Sequence, residues 1–237
     1  SAGKNKCIAI LNLGKIEKGK KNLIVFLHGD GSPNSPRPGI PKKSQIRFAK
    51  ELINDNNNIF LFARPGYFIR ERGSSEEDRY SSGPRNAIKS TVVNYDWKNF
   101  QILAPALQNL KKYYKPKKLI LIGHSGGAYQ GGTIHGKVPG LVDINILISC
   151  PCDWEIRKKL SNGKKWETKS QLKELKKNSP SFNYKDIDLK SLNILIVGKD
   201  DKNTAPGVSK YYYDLLKKKK LQVKLHIIDG GHGLRSM

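Results

Sequence analysis

Cysteine is scarce in this sequence, and the few cysteines present predict neither a disulfide framework nor a metal site. The 237 residues include three cysteines, too few for the disulfide scaffold of a small secreted protein. Cys150 and Cys152 have one residue between them, a spacing that we expect to be poor for a mutual disulfide. Because no matching group of His or Cys accompanies them, we predict no zinc or other metal.

Long apolar runs are also missing. Crossing a bilayer takes about 20 consecutive apolar residues, whereas the longest runs here, such as 8–13 and 119–122, have the length of buried strands. We therefore expect a soluble protein of the cytoplasm, the periplasm or the exterior. The chain starts at Ser1 without methionine, which fits a removed signal peptide and a trimmed start equally well.

The sequence contains far fewer acidic than basic residues. Twenty Asp and Glu stand against 44 Lys and Arg, which gives a net charge of +24. Such a charge suits nucleic acid, an anionic membrane or an anionic substrate. However, the lysines are scattered along the whole chain, without an RNA-binding, helix-turn-helix or zinc-finger pattern. We therefore predict no specific nucleic-acid partner and interpret the charge as a solvated basic surface.

The sequence is built from short apolar runs that alternate with helical patterns. The apolar runs predict strands at 7–13, 23–27, 59–63, 119–122, 144–148, 192–197 and 223–228. Helical spacing predicts helices at 44–52, 96–114, 126–134 and 208–219, with Pro105 expected to kink or delay the second. Strands apolar on both faces and separated by helices predict an α/β fold, with a mostly parallel central sheet and helices on both of its faces.

Two stretches interrupt this alternation. Residues 64–92 are polar and rich in Gly, Ser and Pro, and they predict a long loop beside the sheet. Residues 150–184 contain Trp154, Trp166 and an amphipathic Lys/Glu-rich segment, and they predict a small helical cap or insertion. We expect residues 1–237 to form one domain that carries this insertion.

A Gly-rich motif directly follows the fourth predicted strand. Residues 123–127 read Gly-His-Ser-Gly-Gly, which is G-x-S-x-G between a strand and a helix of small residues. In that context the motif is typical of a nucleophile elbow, a turn so sharp that the neighbouring residues must be small. A Gly-rich turn without chemistry is the alternative. The elbow predicts that Ser125 is a nucleophile at the carboxyl edge of the sheet.

A serine nucleophile needs a base and an acid, which follow the elbow in the order acid and then histidine. Of five histidines, His232 lies just beyond the last predicted strand, where a loop would bring it to Ser125. Asp201 follows the strand at 192–197 and is the candidate acid, with Asp200 as the reserve. Each of these residues by itself is also explained as a polar loop residue. The ordered set of Ser, Asp and His, each after a predicted strand, is much less expected by chance.

Acyl transfer also needs N–H donors for the oxyanion. The backbone N–H of Gly126, directly after the nucleophile, is expected to be one of them. The loop after the strand at 23–27 contains His28, Gly29 and Asp30, and we expect the N–H of Asp30 to be the second donor. His28 is expected to brace this loop.

Together these residues resemble the α/β-hydrolase family over residues 8–232. The resemblance implies the fold of that family, and the roles of nucleophile, acid and base for Ser125, Asp201 and His232. It also implies an acyl-enzyme mechanism that uses no metal and no organic cofactor.

Further features refine the resemblance. His28-Gly29 resembles the family's oxyanion loop, and residues 64–67 resemble its Pro-Gly-aromatic loop. The second half is similar to the prolyl oligopeptidase group through Ser179-Pro180, residues 198–206 and the closing Gly-Gly-His-Gly at 230–233. The large peptidases of that group carry an amino-terminal propeller, which this sequence does not contain.

The resemblance therefore implies a serine ester hydrolase, acting on a small ester or a short peptide. A peptidase or amidase with the same triad is the alternative, and a non-catalytic binding protein on a hydrolase scaffold is a further one. Tyr67, Tyr129 and Trp154 are candidates to line the substrate pocket, although core packing explains each equally well. Residues 150–152 are expected to shape the pocket wall, and the oligomeric state stays open.

Overall fold

The structure, a computed structural model, describes residues 6–17, 21–30, 43–69, 79–80, 95–160 and 169–234. The chain divides into two compact units, residues 1–119 and 120–237. The expectation that residues 1–237 form one domain with an insertion stays a prediction. Within the described ranges, no helix is long and apolar enough to cross a membrane.

The described part of the first unit contains five strands and two helices. Its elements are β1 (Ile10–Leu13), β2 (Asn22–Leu27), α1 (Lys43–Glu51), β3 (Asn57–Phe62), β4 (Phe68–Ile69), β5 (Arg79–Tyr80) and α2 (Trp97–Tyr114). β2 runs parallel to β3, whose other side pairs with β1 in the antiparallel direction. Both β2 and β3 are almost wholly buried, as their continuous apolar runs predict.

Two expectations for this unit are tested, the first of them in its alternative of a delayed helix start only. α2 starts at Trp97, capped by the Asp96 side chain, and Pro105 lies inside the helix without delaying its start. The stretch 64–92 is not loop throughout, because β4 pairs with β5 as a short antiparallel ribbon. Residues 70–78 and 81–94 lie outside the described residues.

The second unit holds four parallel strands and their connections. Its elements are β6 (Leu119–His124, which begins at the last residue of the first unit), α3 (Gly126–Lys137), β7 (Ile144–Ile148), α4 (Trp154–Leu160), α5 (Lys169–Lys177), α6 (Pro180–Asn183), a 3₁₀ turn (Tyr184–Asp186), β8 (Leu192–Gly198), α7 (Pro206–Lys218) and β9 (Gln222–Ile228). The strands pair in the order β6-β7-β8-β9, all in the parallel direction. The prediction of a mostly parallel sheet is confirmed, with β1 as the antiparallel exception.

The register of these strands puts their carboxyl ends at one edge. His124 at the end of β6 is opposite Ile148 at the end of β7, which in turn is opposite Ile196 in β8. Gly198 at the end of β8 is opposite Ile228 at the end of β9. Residues that directly follow β6, β8 and β9 therefore come to the same side of the sheet.

The stretch 150–184 is helical, as the sequence predicts, except that residues 161–168, including Trp166, lie outside the described residues. It packs on α3 because α3 has small residues at the contact. A Cβ on Gly132 would lie 2.8 Å from a side-chain atom of Pro180, and a Cβ on Gly136 would overlap the backbone of Asn183. α6 therefore approaches the backbone of the helix that begins after Ser125.

Cys150 and Cys152 form a disulfide, so the prediction against their pairing is wrong. Ser149 directly before them has φ 48°, a left-handed conformation that turns the chain at the end of β7. The two Cα atoms lie 5.0 Å apart, within the range that a disulfide requires. Both cysteines are fully buried in a core cluster with Leu147 and Leu195.

β9 also differs from its prediction as a strand that is apolar on both faces. His226 is exposed, and Ile227 exposes 52% of its surface. β9 is the last strand in the order, and among the described strands only β8 pairs with it. Because successive side chains of a strand point to opposite faces, His226 and Ile227 leave this edge strand exposed on both faces near its carboxyl end.

Candidate active site

Ser125 occupies a sharp turn between β6 and α3. It has φ 52° and ψ −116° and directly precedes the first residue of α3. Its amide donates to the carbonyl of Ile148 at 2.8 Å, and its carbonyl accepts from the amide of Tyr129 at 3.0 Å. A Cβ on Gly123 would lie 2.5 Å from backbone atoms of Ala128. Only glycine therefore fits at 123, and the strained backbone of Ser125 is held by hydrogen bonds on both sides.

His232 lies between Ser125 and Asp201. Its Nε2 is 3.0 Å from Oγ of Ser125, and its Nδ1 is 2.9 Å from Oδ2 of Asp201. The carboxylate is fully buried, whereas 26% of the imidazole side chain is exposed. When Nδ1–H donates to the carboxylate, Nε2 has a free lone pair directed at the serine hydroxyl. Such a chain can draw the proton from Oγ as the oxygen attacks an electrophile.

The loop after β9 carries His232 and packs tightly on the end of β8. The carbonyl of Gly230 accepts from the amide of Asp200 at 3.0 Å. A Cβ on Gly198 would come closer than 3.0 Å to the carbonyl oxygens of Gly230 and Gly231. The absence of a side chain at Gly198 thus lets this loop reach the position from which His232 faces Ser125.

His124 also holds this loop, and sequence reasoning gave it no role. Its Nε2–H donates to the backbone carbonyl of His232 at 2.9 Å, and the two imidazole rings lie 5.3 Å apart. His124 is buried at the end of β6. Its position directly before the candidate nucleophile was the only signal in the sequence.

The carboxylate of Asp201 accepts hydrogen bonds at both oxygens. Oδ1 accepts from the amides of Asn203 and Thr204 at 2.9 and 2.8 Å, and Oδ2 accepts from Oγ1 of Thr204 at 2.7 Å besides His232. Burial acts to raise the pKa of Asp201, but the hydrogen bonds and charge of His232 and the hydrogen bonds of Thr204 outweigh it and lower the pKa to about 2. Asp200, the reserve acid, is exposed.

The lowered pKa predicts how acid affects stability. A carboxylate whose pKa is about 2 in the folded state and 3.8 in the unfolded state raises the free energy of unfolding by about 2 kcal/mol above pH 5. This contribution is lost as the pH falls through 4 toward 2. Between pH 6 and pH 3, the free energy of unfolding should therefore fall by about 1 kcal/mol more in the wild type than in Asp201→Asn. Urea unfolding at both pH values measures this difference. Equal losses in the two proteins would mean that Asp201 is not stabilised as an anion.

The candidate oxyanion donors lie on separate units. Gly126 is the first residue of α3 and follows Ser125 directly. In the first unit, the Asp30 carboxylate accepts from the hydroxyl of Tyr95 at 2.5 Å and from the fully buried guanidinium of Arg64. Burial acts to raise the pKa of Asp30, but the charge of Arg64 and these hydrogen bonds lower it. The side chain of Asp30 is thus fixed, and the role of its N–H stays a prediction.

His28 connects the same loop to the one after β3. Its Nε2 accepts from the amide of Arg64 at 3.1 Å, and its ring lies 4.6 Å from the ring of Tyr67. The candidate oxyanion loop continues into Gly31 and Ser32, which lie outside the described residues. Within the described part of the chain, no group of three or more His, Cys, Asp or Glu residues is arranged to hold a metal.

The three candidates for the pocket lining are all buried. Tyr67 packs on His28 and accepts a hydrogen bond from Arg64 at 3.2 Å. Tyr129 donates its hydroxyl to the carbonyl of Leu175 at 2.6 Å, and its ring lies 6.0 Å from that of Trp154. These contacts are packing contacts within each unit, and a role in lining the pocket stays a prediction.

Comparison with known proteins bears on this arrangement. The sequence profile described as the prolyl oligopeptidase family matches residues 55–237, more than half of the chain. Comparison with curated proteins gave no significant match.

Solved structures share the fold at low sequence identity. An acylaminoacyl peptidase of Pyrococcus horikoshii is 18% identical with a TM-score of 0.66, over 97% of this chain and 38% of that one. A puromycin-hydrolyzing peptidase of Mycobacterium tuberculosis is 14% identical with a TM-score of 0.63, over 93% of this chain and 32% of that one. Acetyl xylan esterase 1 from Thermoanaerobacterium sp. JW/SL YS485 is 12% identical with a TM-score of 0.60, over 95% and 74%.

This chain thus spans about two fifths or less of the length of the two peptidases. The agreement in topology establishes the α/β-hydrolase fold. The profile match to residues 55–237 covers Ser125, Asp201 and His232. The chain belongs to the prolyl oligopeptidase family of serine hydrolases.

Proposed function

We propose that the chain hydrolyses carboxylic esters, with Ser125 as nucleophile, His232 as general base and Asp201 as the acid that orients the base. The observation that carries the proposal is the continuous chain of hydrogen bonds from Asp201 Oδ2 to His232 Nδ1 at 2.9 Å and from His232 Nε2 to Ser125 Oγ at 3.0 Å. The distances lie within the range for proton transfer between positioned groups.

The reaction starts when Oγ of Ser125 attacks the acyl carbonyl and Nε2 of His232 takes its proton. Asp201 keeps the imidazole in the tautomer with the proton on Nδ1 and stabilises the imidazolium. The imidazolium returns the proton to the leaving alcohol. A water molecule, deprotonated by His232, then attacks the acyl-enzyme and releases the acid and free Ser125.

The tetrahedral intermediates carry a negative oxygen that needs donors. The N–H of Gly126 is close to any group bonded to Ser125, because the two residues are adjacent and α3 begins there. The N–H of Asp30 is the proposed second donor. Two such donors aimed at the developing charge stabilise the transition state more than the neutral substrate.

Esters and peptides remain competing substrate classes. The acetyl xylan esterase matches over 74% of its length, whereas the peptidases match over 38% and 32% of theirs. The larger share of the esterase that this chain covers supports an ester substrate. The family profile and the peptidase neighbours support the alternative, a peptidase or amidase with the same three residues. Amide hydrolysis would additionally require His232 to protonate an amine leaving group.

A matched pair of substrates separates the two classes. We expect turnover of a short acyl p-nitrophenyl ester and at most a trace with the p-nitroanilide of the same acyl group, because either class of enzyme hydrolyses the activated ester, whereas the anilide requires protonation of an amine leaving group. Ser125→Ala should abolish both activities, while Ser170→Ala, at an exposed serine in α5, should keep them. Preference for the anilide, or for an acylated peptide, would favour the peptidase. A folded protein that hydrolyses neither would favour a binding protein.

A further inference from the structure

We propose that Thr204 is a positioning residue for the acid and base of this site, acting through its side-chain hydroxyl. The inference rests on the proposed function, because it assigns Thr204 a task within that mechanism. Thr204 does not touch Ser125 in any contact described above, and its effect is exerted through Asp201 and His232.

The hydroxyl of Thr204 contacts three groups at once. Oγ1 lies 2.7 Å from Oδ2 of Asp201, 3.2 Å from Nδ1 of His232 and 3.1 Å from the carbonyl oxygen of Ser149. Thr204 is 1% exposed. A buried hydroxyl costs free energy unless it is hydrogen-bonded, and here its contacts are with the two ionisable groups of the site and one carbonyl.

Counting protons assigns a direction to each contact. The hydroxyl has one proton and two possible acceptors, Asp201 Oδ2 and the carbonyl of Ser149, and the carboxylate is closer and charged. Nδ1–H of His232 donates to Oδ2 and has the hydroxyl oxygen of Thr204 as a second acceptor. When His232 takes up the serine proton, the positive imidazole therefore faces two oxygens on this side.

The carbonyl of Ser149 is the alternative acceptor for this hydroxyl. Ser149 has a left-handed backbone with φ 48°, and its amide donates to the carbonyl of Ile196 at 2.8 Å. The buried disulfide of Cys150 and Cys152 follows directly. The carbonyl of Ser149 is thus a rigid partner at the end of β7. Because the hydroxyl has one proton, it donates either to the carboxylate of Asp201 or to this carbonyl, and not to both at once.

If Thr204 only shaped the loop after Asp201, its side-chain hydroxyl would not be needed. The amides of Asn203 and Thr204 already close the loop by donating to Oδ1 of Asp201, and these bonds survive in any non-proline variant. The hydroxyl acts on the other oxygen, Oδ2, which His232 uses. Replacing Thr204 by the isosteric valine removes this one function and retains the loop bonds.

The test compares Thr204→Val with Thr204→Ser in ester hydrolysis. We expect Thr204→Val to lower kcat by about 10-fold to 100-fold with KM changed less than about twofold, because a misplaced base affects the reaction step and not substrate binding. Thr204→Ser should keep kcat within about threefold of the wild type. The low-field proton resonance of His232 Nδ1–H should shift in Thr204→Val and stay in Thr204→Ser.

Each outcome has a distinct meaning. Full kcat in a folded Thr204→Val overturns the role of Thr204 and leaves the proposed function intact. If the valine variant fails to fold, the serine variant decides, and a large loss of kcat in folded Thr204→Ser also overturns it. A wild type without turnover, and without phosphonate on Ser125, overturns the proposed function and this inference together.

Discussion

Ser125→Ala and His232→Ala should each lower kcat for ester hydrolysis by at least about 10⁴-fold, and the double variant should be no slower than either single one. The reason is that hydroxyl and imidazole act as one unit. Without His232, no base 3.0 Å away removes the serine proton, and without Ser125 the base has no nucleophile to activate. Steady-state kinetics with active-site titration measure the loss.

Two adjacent acids provide the matched control. Asp201→Asn should lower kcat by about 10⁴-fold, because the amide no longer holds His232 in the productive tautomer. Asp200→Asn should change kcat less than about threefold, because the side chain of Asp200 is exposed and the variant keeps the hydrogen bond that its backbone N–H donates to the carbonyl of Gly230. Loss of activity in Asp200→Asn, with activity retained in Asp201→Asn, would reverse the assignment of the acid.

Gly198→Ala should damage both stability and turnover. Its new Cβ would come closer than 3.0 Å to two backbone carbonyls, those of Gly230 and Gly231. Neither can move aside without moving the loop that carries His232. We expect a loss of about 1–3 kcal/mol in the free energy of unfolding, and a fall in kcat of at least about 10-fold from the displaced imidazole.

Gly131→Ala is the control for this change. Gly131 lies on α3 and is buried like Gly198. A Cβ at this position would lie 3.4 Å from Leu121 and 3.6 Å from Asn145, which are ordinary contacts. Alanine also favours the helix over glycine by about 1 kcal/mol. Urea unfolding and kcat measured on both variants separate a general effect of the added methyl group from an effect on the loop. Equal behaviour of the two would contradict the role given to Gly198.

The parallel sheet could be predicted because its strands carry their own signal. β7 and β8 are short runs of Ile, Leu and Val that are bounded by turns, and such runs favour buried parallel strands wherever they occur. β9 differs from them, because Gln222, Lys224 and His226 alternate with its apolar residues, and it is an edge strand with His226 exposed. Position in a sheet depends on the order of the strands, which residue type does not encode.

The candidate site could be predicted as an ordered set of residues, but not as a set of contacts. Ser125, Asp201 and His232 follow β6, β8 and β9, and a parallel sheet brings such residues to one edge. Thr204 and His124 stand at positions that no motif specifies, and their contacts with His232 join segments that are distant in sequence. The disulfide was also not predictable in this way, because a spacing of two residues does not fix the distance between the two Cα atoms, which is 5.0 Å in the folded chain.

The central claim is that His232 activates Ser125 as a nucleophile, and fluorophosphonate labelling tests it most directly. The protein is labelled in its folded state, digested and mapped by mass spectrometry, beside Ser125→Ala and His232→Ala. We expect phosphonate on Ser125 in the wild type, none in Ser125→Ala and labelling slowed by at least about 10³-fold in His232→Ala. A folded wild type that takes up no phosphonate, or takes it up on another serine, would contradict the account.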